Sequence, residues 1–187
     1  MRRCVALLMM LVCLLFAGCQ KKDKAMQEAL DFRTKLLASE GCKFTAQVQA
    51  DYGERVFSFT LACGFDGEDG EITVLAPQTV AGIRAEIDGE DATLEFDGAR
   101  LEYGKLANGH AAPLTVPWLL GSTWQEDYIA LAGKDSGQTR VTYKKGYNEE
   151  ELTVDTWFSE GVPTYGEVSY GGRRVLSITI QDFALNQ

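Results

Sequence analysis

Histidine is almost missing from this chain. His110 is the sole one in 187 residues. A lone imidazole excludes multi-histidine metal sites, and its setting, NGHAAP, reads as a turn with no catalytic companion. Proline is scarce, at four residues, and no Pro-rich, low-complexity or fixed-period stretch divides the chain. No GxSxG, SxxK or Gly-rich phosphate loop occurs. Asp66, Glu68 and Asp69 cluster in FDGEDGE but lack the ligand spacing of a calcium loop, and read as a solvated turn. No metal, cofactor or catalytic residue is therefore expected. The longest apolar run, Val5 to Phe16, is about a dozen residues, against the roughly 20 that cross a bilayer. Basic residues are outnumbered, 18 against 27, for a net charge of −9. That balance argues against a nucleic-acid partner.

The short apolar run has a positive meaning. Arg2 and Arg3 precede it and the small residues Ala17 and Gly18 end it, which is the layout of a secretory signal. The junction LLFAGCQKKDK is similar to a bacterial lipobox, with Phe16 where leucine is usual. That resemblance implies cleavage before Cys19 and diacylglyceryl modification of its thiol. Cys4 lies at the wrong place and Cys13 follows the bulky Val12, so neither competes. The expected organisation is a signal over 1–18, a lipidated tether over 19–24 and one domain over 25–187. The implied location is extracytoplasmic, anchored to the cell membrane, or to an outer membrane where one exists. Loss of Arg2 and Arg3 leaves 16 basic and 27 acidic residues, a net charge of −11. Lys21, Lys22 and Lys24 follow the anchor and read as a solvated tether or a contact to headgroups.

The mature chain opens with one helical pattern, KDKAMQEALDFRTKLLASEG. Met26, Ala29, Leu30, Phe32, Leu36 and Leu37 form its stripe, and Gly41 is placed to end it. Period-two alternation dominates the chain from there to its C-terminus. CKFTAQVQA (42–50) and RVFSFTLAC (55–63) flank DYGE; a two-residue Tyr52-Gly53 loop sets Cys42 opposite Cys63, Phe44 opposite Leu61, Ala46 opposite Phe59 and Val48 opposite Phe57. In that register the two cysteines form a non-hydrogen-bonded pair with Cα atoms ~4.5 Å apart, within disulfide reach. The staple would contribute roughly 3 kcal/mol; two free buried thiols are the alternative. A meander over 83–87, 92–96 and 99–103 sets Ala85 opposite Leu94 and Leu94 opposite Leu101. In the last hairpin, GEVSYGGRRVLSITI, a three-residue loop ending at Arg173 aligns Val168 with Leu176. Further strands are expected over 71–76, 139–145, 151–158 and 163–168. Pro117 and the Trp118–Leu120 run read as a short helix or an apolar loop. Lys144-Lys145 and Glu149-Glu150-Glu151 read as exposed charge.

The expected fold class is mainly β, of the α+β kind: a curled antiparallel half-barrel of about ten strands. The N-terminal helix and a short helix plug its concave face. This layout, with APQTVAGIRAEIDG, LEFDGARLEYG, VPWLL, TWFSEGVPTYGEV and VLSITIQDF, resembles the lipoprotein-localisation (LolA/LolB-like) fold, which includes mycobacterial lipid-carrier lipoproteins. The resemblance implies an interior that accepts acyl chains, lined by Phe44, Val48, Phe57, Phe59, Leu61, Leu94, Phe96, Leu101, Trp118 and Leu119. It implies a non-enzymatic protein that binds or transfers a lipid or acylated molecule. The alternative is an envelope scaffold or protein-interaction module with a dry core. Replacing Cys19→Ser is expected to move the protein from the membrane to the soluble fraction on cell fractionation; continued membrane retention would refute the anchor.

Overall fold

The computed structural model describes residues 24–67, 69–88, 91–102, 106–107, 110–111, 113–145 and 152–186. The signal, Cys19, Lys21, Lys22, Glu68, the expected Gly89-Glu90 loop and Glu149-Glu150-Glu151 lie outside them. Helix α1 covers 24–37. Strands β1 (Cys42–Asp51), β2 (Val56–Asp66), β3 (Asp69–Ala76), β4 (Arg84–Asp88), β5 (Asp91–Phe96) and β6 (Ala99–Glu102) come next. The two-residue strands β7 (Leu106–Ala107) and β8 (His110–Ala111) lead through a 3₁₀ turn to α2 (Val116–Glu126). The chain closes with β9 (Tyr128–Asp135), β10 (Gln138–Lys145), β11 (Leu152–Ser159), β12 (Val162–Tyr170) and β13 (Arg173–Leu185).

Eleven strands make one antiparallel sheet in the order β6-β5-β4-β3-β2-β1-β13-β12-β11-β10-β9, while β7 and β8 pair separately. The chain's first and last strands thus meet at the middle, and β6 and β9 are edges, so the sheet is open. This is the expected fold class, with one more strand than expected in the main sheet. Strand β9 carries no clear strand pattern in the sequence: as an edge it leaves Tyr128 and Leu131 exposed, and a bulge at its own Ala130 interrupts the register with β10. Both features erase the alternation on which a strand is recognised.

The β1–β2 register corrects an expectation. Phe44 faces Cys63, Ala46 faces Leu61 and Val48 faces Phe59. The connection is four residues, Tyr52 to Arg55. Asp51 Oδ1 accepts from the Gly53 amide at 2.8 Å, and Gly53 takes φ +92°. The Tyr52 amide donates to the Arg55 carbonyl at 3.1 Å, which centres the turn on Gly53-Glu54, one residue beyond the expected loop. Every partner moves by two, so each side chain keeps its face. The β4–β5–β6 pairings, Ala85 with Leu94 and Leu94 with Leu101, stand as expected. At the last hairpin the loop is Gly171-Gly172, both at positive φ, with Tyr170 opposite Arg173. A bulge between Val168 and Ser169 restores Val168 opposite Leu176; the extra residue sits in the strand, not in the loop.

One face of the sheet is covered by both helices. Helix α1 buries Ala25, Ala29, Phe32 and Leu36, while Leu30 and Leu37, counted in the expected stripe, face solvent. Phe32 stands edge-on to Trp124 of α2 (5.5 Å between centroids) and to Phe158 of β11 (4.9 Å). Trp124 Nε1 donates to Thr156 Oγ1 at 3.0 Å, satisfying the indole where it is fully buried. Arg33 then ties the helices together: its Nε and Nη2 donate to the carbonyls of Trp124 and Asp127, both at 2.7 Å. Those carbonyls lie at the end of α2, where intrahelical donors run out. Glu28 holds α1 to the sheet through Lys134 (3.1 Å), Thr139 and the Gly161 amide (3.2 Å). Burial raises the Glu28 carboxyl, but the bonds from Thr139 and Lys134 outweigh it and hold the group below its ordinary value.

Close approach shapes the contact of α2 with the sheet. A Cβ on Gly121 would stand 2.3 Å from the Phe65 ring, and Phe65 is itself buried. Gly121→Ala is therefore expected to lower stability by about 1–3 kcal/mol through overpacking, although alanine is the better helix former by ~1 kcal/mol. A denaturant melt showing a gain would mean that Phe65 can yield.

Candidate functional site

The ten residues expected to line an interior divide into three groups along the inner face. Phe44, Val48, Leu61 and Leu119 are buried in a packed core with Trp124 and Phe183. Phe59, Leu94 and Trp118 are half-buried. Phe57, Phe96 and Leu101 are exposed, at 41, 46 and 63%. The helices therefore fill the middle of the sheet with side chains, and apolar surface remains open toward its first-half edge and the β1–β2 tip.

The register explains the division. Cross-strand partners carry one row of inner-face residues from Phe44 through Cys63, Ile72, Ala85 and Leu94 to Leu101. Burial declines along that row: Ile72 and Ala85 are covered, Leu94 is partly covered, and Leu101 faces solvent. The cover at the inner end is α2, where Trp118 packs onto Gly70 and Gly121 onto Phe65. The β5–β6 hairpin carries the same pattern beyond the helix, with Phe96 on the same side as Leu94. The opposite side of these strands carries Glu71, Glu86, Arg84, Glu95 and Arg100, with Glu71 facing Glu86 and Arg84 facing Glu95. One side of this wing is apolar and the other charged.

Cys42 and Cys63 lie at the covered end of the row, and both are free thiols in this structure. Cys42 faces Phe65 and Cys63 faces Phe44, so the direct opposition that favoured a disulfide does not exist; the two are diagonal neighbours on one face. Burial pushes the Cys42 thiol up to about 12. Burial also raises Cys63, with Cys42 adding to the effect. Among the described residues, no group of three His, Cys, Asp or Glu side chains is placed to hold a metal ion, and no helix is long and apolar enough to cross a membrane.

Solved structures share this architecture at low identity. The chain is similar to a LolA superfamily protein from Nitrosomonas europaea, at 11% identity and a TM-score of 0.46, over 86% of this chain and 93% of that one. It is similar to a putative outer membrane lipoprotein-sorting protein domain from Vibrio parahaemolyticus, at 8% identity and TM-score 0.49, over 88 and 93%. It is also similar to LprF from Mycobacterium bovis, at 11% identity and TM-score 0.43, over 86 and 93%. No family model and no curated protein matches the chain.

The thiols yield a direct check. With both sulfurs protonated and buried, neither Cys42 nor Cys63 is expected to react with an alkylating agent at pH 8 in the folded protein. In guanidinium without reductant both should label, read as two added masses; no labelling until reductant is added would show that the pair is oxidised.

Proposed function

We propose that the protein is a membrane-anchored extracytoplasmic lipoprotein, non-enzymatic, that binds or passes on an apolar ligand such as a lipid or acylated molecule. The observation that carries this reading is the incompletely covered apolar row at Leu94, Phe96 and Leu101, continuous with the core yet beyond the reach of α2. The site is the open wing rather than the centre of the sheet, where the helices have taken the ligand's place. Completing the burial of these three large side chains, already about half covered, is worth on the order of 2–5 kcal/mol. That is too little for tight capture by itself. Further methylenes of an acyl chain laid along the row add about 0.8 kcal/mol each.

The anchor gives this exposure a rationale. A tether ending at α1 would keep the open wing close to a bilayer, the source of such ligands, and the acidic opposite side would keep the domain from lying flat on anionic headgroups. The packed centre, with Phe32, Trp124 and Phe158 in mutual contact, favours a second reading: an envelope scaffold whose wing meets a protein. The two readings separate experimentally. Full-length protein extracted from its membrane in mild detergent is expected to carry a bound lipid in native mass spectrometry, and Phe96→Ser/Leu101→Ser to lose it while keeping the wild-type melting behaviour. Absence of lipid in the wild type, or its retention in the double variant, would overturn the apolar-ligand reading and leave the scaffold.

A further inference from the structure

The outer face of the sheet's centre is built differently from the rest of the molecule. Gln47, Gln49, Ser58, Thr60, Ser177 and Thr179, from β1, β2 and β13, line a groove of about 400 Å³ whose side is closed by Ala76 and Pro77. Ligand sites run from ~300 to 1,000 Å³. In a chain of net charge −9, every polar side chain in that lining is an uncharged amide or hydroxyl. Gln47 reaches Gln181 only at 3.4 Å, and the side chains of Gln47, Gln49, Ser58 and Thr179 are exposed to solvent.

The groove continues into an aromatic platform. Direct cross-strand neighbours run Thr60, Gln47, Thr179, Tyr165, Trp157 and Arg140 across six strands. Tyr165 and Trp157 are half-buried, with centroids 5.3 Å apart. Both are held in place: Trp157 Nε1 donates to Asp135 at 2.9 Å, Arg140 lies 4.9 Å from the Trp157 ring centre, and Tyr165 Oη donates to Glu167 at 2.9 Å. Arg140 and Arg174 are in turn paired with Asp155 and Glu167 at 2.8 and 2.6 Å. The charges around the platform are spent on each other, and the rings are pre-oriented.

We infer that this face binds a neutral glycan, with hexose or N-acetylhexosamine units in the groove and a following unit against Tyr165 and Trp157. Sugars present hydroxyls that both donate and accept, which amide and hydroxyl side chains match, and their rings carry C–H faces that lie on aromatics. An anionic polymer finds no free cation in the groove lining. An extended peptide would need backbone partners, and on the face of a sheet those are already spent on neighbouring strands; such peptides add at edges. An acyl chain would meet apolar side chains at Ala76 and Pro77 but would lie across the hydroxyls and amides of the six polar side chains. The inference stands apart from the apolar wing, which lies on the inner face.

The test is calorimetric titration of the full-length protein in detergent micelles with cellohexaose, with chitohexaose and with the anionic hexamer of galacturonate. Saturable binding of at least one neutral hexamer, and none of the anionic one, is expected. Gln49→Ala/Thr179→Val should weaken it about tenfold or more, and Gln47→Glu should weaken it by placing a charge in the groove. Phe96→Ser/Leu101→Ser should bind as the wild type, which separates this site from the wing. Near-UV dichroism confirms that each variant is folded. No saturable binding of either neutral hexamer, or affinity unchanged in both folded groove variants, would overturn the proposal.

Discussion

The junction of Phe32, Trp124 and Phe158 is the constraint on which the rest of this structure depends. An antiparallel sheet of eleven strands with one apolar face must cover that face, and two helices of 14 and 11 residues are the cover available. They succeed because aromatic side chains bury large areas per residue and meet edge-on. The polar cost is met locally: Thr156 takes the indole N–H, and Arg33 takes the orphan carbonyls where α2 ends. With α1 and α2 fixed in this way, the centre is solid, and the extent of uncovered surface is decided by how far α2 reaches. The open wing is the remainder left by that geometry.

The two faces of the sheet then serve different chemistry. Inside, cover decreases from Ile72 to Leu101, and apolar surface emerges gradually from the core. Outside, the central strands carry uncharged hydroxyls and amides, the β3–β6 strands carry glutamates and arginines, and β10 to β12 carry rings enclosed by paired charges. Period-two alternation lets one set of strands specify both faces independently. A substitution on one face therefore leaves the other largely intact.

The fold was legible in the sequence because alternation over so many strands admits few architectures. Where the sequence misled, local turn chemistry was the cause. Asp51 and Gly53 build a four-residue connection that no alternation reveals, and the resulting shift of two kept every face correct while separating Cys42 from Cys63. The same arithmetic explains the last hairpin, where a bulge replaced a loop residue. The side on which Phe44, Val48 and Leu61 lie was correct and the emptiness above them was not, because periodicity reports facing direction and not what packs against it. Leu30 and Leu37 show the converse, apolar residues on a helix whose contact face is narrower than its stripe. The outer groove left no apolar signal at all; its mark in the sequence is the neutrality of QVQ, FSFT and LSITI amid an acidic chain.

Strand β1 sits between β2 and β13, so residues near 45 pair with residues near 180 at the middle of the sheet. Closing a loop that long costs entropy before any contact repays it, and topologies dominated by such distant pairings assemble slowly. During synthesis the N-terminal strands can form hairpins, but the sheet cannot join its halves until β13 is present. Helix α1 finds Trp124 and Phe158 only after most of the chain has emerged. The central placement of β1 and β13 thus acts as a timing device: the chain stays loosely organised until β13 arrives, and commits to its final shape then.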